Sequence, residues 1–334
     1  MLSLGAAAGA AQPPDRLERF RQLAATRLSL AQIIDGDASA YQEAYALLDE
    51  EIVESLGTGG VFASPEFLQD RLDAFREAWG AAVLDVRRVG TLVVGAFTLG
   101  DGNGATSVRV YGRLREEAAL LDVLERGSRA RIFTLPPAPR GPAQFLVAWE
   151  GPPSGRGTRP LRVDLVRSRG DRVQTVWTTA ELFPAGLEAK AWAIRGPEVR
   201  IRYELHYPGW APGCDAQTEG EDIYRLAGDT GTFVRAGRLQ HNAWHRDFRN
   251  AAAGMFTALA AGDRAALGAA VPDAGLRGRL PATLRPEPAC DAVEGTGPDA
   301  VSIAASAADG RPWTLTFRRV GPRWRLTAAD PVLQ

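Results

Sequence analysis

Between Leu239 and Phe248 the chain reads LQHNAWHRDF, which sets His241 and His245 four residues apart. On a helix that spacing puts two imidazoles on one face, as zinc requires when further ligands converge. The remaining histidine, His206, lies upstream in RYELHYPGW, and the two cysteines are Cys214 and Cys290. Two histidines and two cysteines make a tetrahedral set by count alone. Neither cysteine, however, belongs to the tight C-x-x-C pair of structural zinc sites. Asn242 is a good N-cap type, and an apolar stripe starts at Trp244. The expectation is therefore a strand ending at His241, a helix starting after it, His245 flanking the buried face, and no bound metal.

A second group of chemistry-bearing residues lies in CDAQTEGEDIYRL. Asp215, Gln217 and Glu219 alternate and Gly220 is sixth, like the opening of a calcium loop. The twelfth position is Leu226 rather than the bidentate Glu, so the pattern predicts an acidic loop between strands and no calcium. Glu219 and Asp222 could serve as a carboxylate pair for glycoside hydrolysis if they faced one another. With the histidines, these residues form a candidate polar cluster: His206, Asp215, Glu219, Asp222, His241 and His245. Arginines 156, 159, 162, 167, 169 and 172 crowd one stretch, and Arg200 and Arg202 share a strand face with His206. Asp164, Asp171 and Glu204 interleave with them, which predicts an ion-paired sheet face rather than an anion site. No nucleophile elbow, P-loop or dinucleotide fingerprint occurs, and GDGNGA sits between strands as a turn. No cofactor is expected.

Those residues must be held by the rest of a chain of 334 residues, a length that predicts two or three domains. Net charge is −1 and no long basic block occurs, so nucleic acid is not an expected partner. Lys190 is the only lysine; with abundant Ala, Gly and Pro this reads as the codon bias of a GC-rich bacterial genome. No apolar run reaches the ~18 residues of a membrane helix, so no integral membrane segment is expected. Residues 1–14, with Ala8-Gly9-Ala10 as a small-x-small site, read as a residual signal peptide or a flexible Ala-rich N-terminus. Cys214 and Cys290, in the similar settings PGCD and PACD, are expected to form a disulfide in an exported chain, periplasmic or extracellular.

Periodicity divides the chain. Residues 15–89 form a helical N-terminal region: Tyr41, Tyr45, Leu48, Ile52 and Leu56 form a stripe, and Ser64-Pro65 opens a helix carrying Leu68, Leu72, Phe75 and Trp79, after which the period changes and AVLDVRRVG reads as β-rich. From 90 to 245 it is read as an antiparallel β domain, a meander or sandwich, with a helical insert at REEAALLDVLERG. VRIRYELHY alternates cleanly, with Val199, Ile201, Tyr203, Leu205 and Tyr207 on one face. From 246 to 334, MFTALAAGDRAALGAAV is a helix leading into a Gly-Asp step, and WTLTFRRVGPRWRL is a terminal Trp-bearing hairpin. This segment resembles the nuclear-transport-factor-two-like, or cystatin-like, α+β cone. The resemblance implies a curved antiparallel sheet packed on helices, in many cases as a non-catalytic appendage of exported proteins. The fold class expected is α+β: N-terminal helices, a central antiparallel β domain and a C-terminal cone. The function expected is binding of a protein or small-molecule ligand in the cell envelope without catalysis; the alternative is a hydrolase, glycosidase- or peptidase-like, using carboxylates of 215–222.

Overall fold

The computed structural model describes residues 15–27, 39–101, 104–138, 141–211, 214, 217–287 and 297–332. Among them are seven α-helices, one 3-10 turn and sixteen strands in three antiparallel sheets, an α+β protein dominated by strands.

The first unit carries helices α1 (Arg16–Arg27), α2 (Ser39–Thr58) and α3 (Pro65–Trp79). The Ser64 side chain accepts from the Phe67 backbone N–H, and Pro65 fills the first turn, so α3 starts where the sequence places it. Leu68, Leu72, Phe75 and Trp79 are its buried stripe. They pack with Phe20, Tyr45, Leu48 and Ile52 on one face of a four-stranded meander: β1 (Val83–Val89), β2 (Leu92–Thr98), β3 (Thr106–Leu114) and β4 (Glu117–Glu125). Asp49 on α2 ties the layers together. It accepts hydrogen bonds from Arg109 Nε at 2.6 Å and from Tyr111 Oη at 2.7 Å on β3.

Two expectations change here. β1 is the β-rich segment expected after Trp79, but it pairs with β2 across the domain boundary expected between 89 and 90. The stretch expected as a helical insert is strand β4. Arg115 and Glu116 both have positive φ, 51° and 71°, and close a tight two-residue hairpin with Leu114 opposite Glu117. The Ala, Leu and Glu of this segment favour a helix locally, but ladder pairing with β3 overrides that preference. Leu120 packs toward the helices and Leu121 and Leu124 toward the opposite core, so no clean alternation marks the strand.

The other face of this meander packs on a second sheet. Val94, Ala96, Val108 and Val110 meet Ile132, Phe145, Val147 and Trp149 in a dry sandwich. The second sheet runs β12-β11-β10-β9-β7-β6-β5, with β8 also on β7. Its strands are β5 (Arg129–Thr134), β6 (Gln144–Glu150), β7 (Arg159–Arg169), β8 (Arg172–Thr178), β9 (Glu188–Arg195), β10 (Glu198–Glu204), β11 (Glu219–Leu226) and β12 (Phe233–His241). Strand β7 is the hinge of the arrangement. Its C-terminal half pairs β8, while Arg159 and Pro160 pair Ala189 and Glu188 of β9. The sheet thereby curls over its own core of Leu146, Leu165, Trp177, Val199, Ile201, Tyr203, Tyr224 and Phe233. The alternation expected for Val199, Ile201 and Tyr203 is present, though the strand ends at Glu204.

The third unit follows His241. Helix α5 (Ala243–Ala261) closes on Gly262 in the left-handed region, φ 66°. Asp263 and Asp273 then cap α6 (Arg264–Ala270) and α7 (Ala274–Arg279) with their carboxylates. These helices pack on β13 (Arg285–Pro286), β14 (Ala300–Ser306), β15 (Pro312–Val320) and β16 (Arg323–Pro331). Trp313, Leu315, Phe317 and Trp324 are all buried, and Phe248 sits edge-on to both Phe317 and Trp324.

Candidate ligand-binding cleft

The residues singled out in the sequence do not form one cluster. Strand β11 explains why. Glu219 and Asp222 are three positions apart on a strand, so they point to opposite faces. Both are buried at 1 % exposure, so the exposed acidic loop expected at 215–222 gives way, from Glu219 onward, to a buried strand; Asp215 lies outside the described residues. A carboxylate pair for glycoside hydrolysis therefore does not form between Glu219 and Asp222.

On the outer face the acids are matched by cations. Glu219 accepts from Lys190, the chain's lone lysine, at 2.5 Å and from Arg202 Nε. Glu221 meets His241 Nε2 at 2.7 Å and Arg200 at 3.7 Å. Glu198 joins Arg200 and Arg225, which hold its carboxylate below its ordinary range. Of the arginines expected on an ion-paired face, Arg200 and Arg202 lie here, but their acids are Glu198, Glu221 and Glu219 rather than Glu204, while Arg162 pairs with Asp164 on β7. His241 is the last residue of β12 and His245 lies in the first turns of α5, as expected. Asn242 occupies the cap position in the left-handed region, φ 52°, and its side chain makes no capping bond, which departs from the expected cap. His245 is buried and bonds Tyr207 Oη through Nδ1, and Tyr207 in turn donates to Gln217. His206 is exposed and stacks on Trp210 at 3.9 Å. The three histidines thus serve three separate contacts. Among the described residues no group of three or more His, Cys, Asp or Glu could hold a metal ion. Cys214 is buried and no described cysteine is free, while Cys290 lies outside the described residues.

The inner face of the curled sheet holds a site that the sequence reading missed. Trp177, Leu182, Phe183, Asp222, Tyr224, Phe233, Arg235 and Arg238 line a cleft of about 290 Å³. Strand β8 carries Trp177 and ends in Thr178, which caps the single turn α4 (Thr179–Leu182) and so brings Leu182 and Phe183 to the rim. Leu182 is 46 % exposed, a large apolar side chain left facing solvent at the mouth. Trp177 packs on Phe233 at 5.0 Å and on Tyr224 at 5.6 Å, and Phe183 packs on Tyr203 at 5.1 Å. Aromatic pairs at these spacings form rigid apolar walls.

Asp222 lies at the base of those walls. Cross-strand register puts it opposite Arg238, whose Nε and Nη2 donate to it at 2.6 and 2.8 Å. Tyr224 and Tyr203 add hydroxyl donors at 3.0 and 3.2 Å. Burial works against the charge of Asp222, but these hydrogen bonds outweigh it and hold the carboxyl below the usual carboxylate range. The same burial and the neighbouring anion push both tyrosine hydroxyls up, so they remain neutral donors. Arg235 is different. Its guanidinium stops 3.8 Å from Asp222, beyond hydrogen-bond reach, and its side chain is half exposed. The cleft therefore offers aromatic walls, a saturated carboxylate and one half-exposed arginine at the limit of ion-pair range.

No signal short of the fold marks this cleft. Its residues come from β8, α4, β11 and β12, and the Asp222–Arg238 pairing depends on a register with a bulge between Ile223 and Tyr224. No family model matches the chain, and no curated protein matches it. No helix among the described residues is long and apolar enough to cross a membrane.

Proposed function

We propose that this chain is a non-enzymatic, exported bacterial binding protein whose cleft takes a small amphiphilic anion: an aromatic or branched apolar body bearing one carboxylate or sulfonate. The observation that carries the reading is the pairing of an aromatic wall with Arg235 above an already saturated Asp222. An apolar body gains about 25 cal/mol per Å² buried against such walls, and Arg235 supplies the bidentate fork for the anionic head. The volume lies at the small end of ligand sites, which suits one or two fused rings. The hydrolase alternative draws less support. A general acid needs a carboxyl raised toward neutral pH, whereas Asp222 is lowered and engaged by four donor atoms.

Three further readings belong to this proposal. The segment 246–334 is taken as a cystatin-like cone, supported by its order of one long helix, two short ones and a four-stranded antiparallel sheet. The Cys214–Cys290 disulfide is retained, supported by a buried Cys214 and by the lack of a free cysteine among the described residues. Export rests on the small-x-small site at Ala8–Ala10 and on that bridge.

The test is a titration of the full chain with 1-naphthoate and, separately, 1-naphthylmethylamine, followed by calorimetry. The naphthoate should bind with a micromolar Kd, and Arg235→Gln should weaken it about tenfold, the loss of one charge-assisted contact. Equal affinity for the amine, or an unchanged Kd in Arg235→Gln, would contradict the reading.

A further inference from the structure

We propose that the free edge of β9, from Lys190 to Arg195, accepts an extended acidic segment of a partner protein as an added strand. Strand β9 pairs with β10 along one side. On its other side the ladder to β7 covers only Glu188 and Ala189. Beyond them, no strand among the described residues pairs with Lys190 to Arg195, so that side presents backbone N–H and C=O groups. An open groove of about 540 Å³ runs along this edge and is lined by every residue from Ala189 to Arg195. Such unbroken lining is what a strand edge, rather than a strand face, gives.

The opposite bank states the chemistry of the occupant. It carries Arg131, Phe133, Glu150 and Arg159. Glu150 is the only acid lining the groove. It already receives Arg131 at 3.0 Å, Arg159 at 3.5 Å and the Trp192 indole at 3.3 Å. Three arginines, counting Arg195, thus face one carboxylate that is fully engaged. Lys190 turns to Glu219 on the outer face and leaves this balance unchanged. Trp192 stands in the groove with the Arg131 guanidinium 4.6 Å from its ring centre and Phe133 edge-on at 6.0 Å, a fixed platform for alternate apolar side chains. A row of unpaired backbone groups selects an extended peptide, the aromatic platform takes its apolar residues, and the arginine excess selects acidic ones. This inference does not depend on the cleft, which lies between α4 and β12.

The experiment uses the full chain and a short capped peptide alternating Val and Glu. Two controls are the same peptide with Lys for Glu, and the Glu peptide N-methylated at alternate residues. Binding is read by fluorescence anisotropy, and amide hydrogen exchange locates it. The Val/Glu peptide should bind and slow exchange at 190–195, while either control binds at least about tenfold more weakly. Arg159→Ser with Arg195→Ser, both exposed positions, should also weaken binding about tenfold. If that double variant is not folded, the two peptide controls decide the matter alone. Comparable binding of the Lys or the N-methylated peptide, protection confined to other segments, or no binding of the Val/Glu peptide at millimolar concentration overturns the proposal.

Discussion

Asp222 carries most of the chemistry of the cleft at the scale of single residues. A buried carboxylate is tolerated only where donors replace its lost hydration, and here Arg238, Tyr203 and Tyr224 do so. Its folded-state pKa is lowered, so the stability it contributes is complete above the unfolded value of about 3.9 and is lost as pH falls through the folded value. Asp222→Asn should cost ~2 kcal/mol at pH 7, discounted from the usual buried-pair penalty because Arg238 is half exposed. The gap between variant and native chain should shrink as pH drops below about 4. Urea unfolding at pH 7 and pH 3 checks both statements. A variant as stable as the native chain at pH 7, or a gap that widens in acid, would show that Asp222 is not the anchor described.

At the scale of elements, the hairpin β15–β16 is the keystone of the third unit. Trp324 meets Phe248 at 5.3 Å and Trp244 at 6.1 Å, so it holds the sheet against the first turns of α5. Trp324→Ala should cost ~3–5 kcal/mol through lost transfer energy plus a cavity. Thermal and urea unfolding measure this, and a loss below ~1 kcal/mol would place the residue outside the core. This hairpin, α3 and β10 were legible in the sequence because each has one buried face and a clear period. The same logic explains the failures. Strand β4 hides its period because both of its faces are covered, and its two left-handed turn residues are Arg and Glu rather than Asn and Gly. The segment EDIYRL reads as a strand, but Glu219 ahead of it reads as loop because charge normally signals solvent; here the sheet supplies Arg202 and Arg238 from the adjacent strands β10 and β12, and Lys190 from β9. The cleft residues were invisible for the same reason, since only the curl of the sheet brings Trp177 and Phe233 together.

The whole molecule is a layered assembly in which the four-stranded meander is covered on one face by helices and on the other by the curled sheet. The third unit joins it through the β12–α5 junction, where Thr218 Oγ1 donates to the Asn242 carbonyl and accepts from the Arg246 N–H. A Cys214–Cys290 bridge would add a second covalent tie between the curled sheet and the third unit. The chain-entropy estimate for a loop of that span is about 4 kcal/mol. Cys214→Ser and Cys290→Ser should then cost similar amounts and the double variant little more, because all three lose one bond. Free-thiol titration and intact mass of protein purified without reductant provide the check; two free thiols in the native chain would refute the bridge and weaken the export reading.

Intermolecular NOEs show where a ligand sits, and so whether the cleft at Trp177, Phe233 and Arg235 is the binding site. With 1-naphthoate near the native Kd, cross-peaks should run from the naphthalene protons to the ring protons of Trp177 and Phe233, and they should weaken strongly in Arg235→Gln, whose Kd is about tenfold higher. Cross-peaks confined to other aromatic residues such as Trp192, or none at saturation, would contradict that assignment.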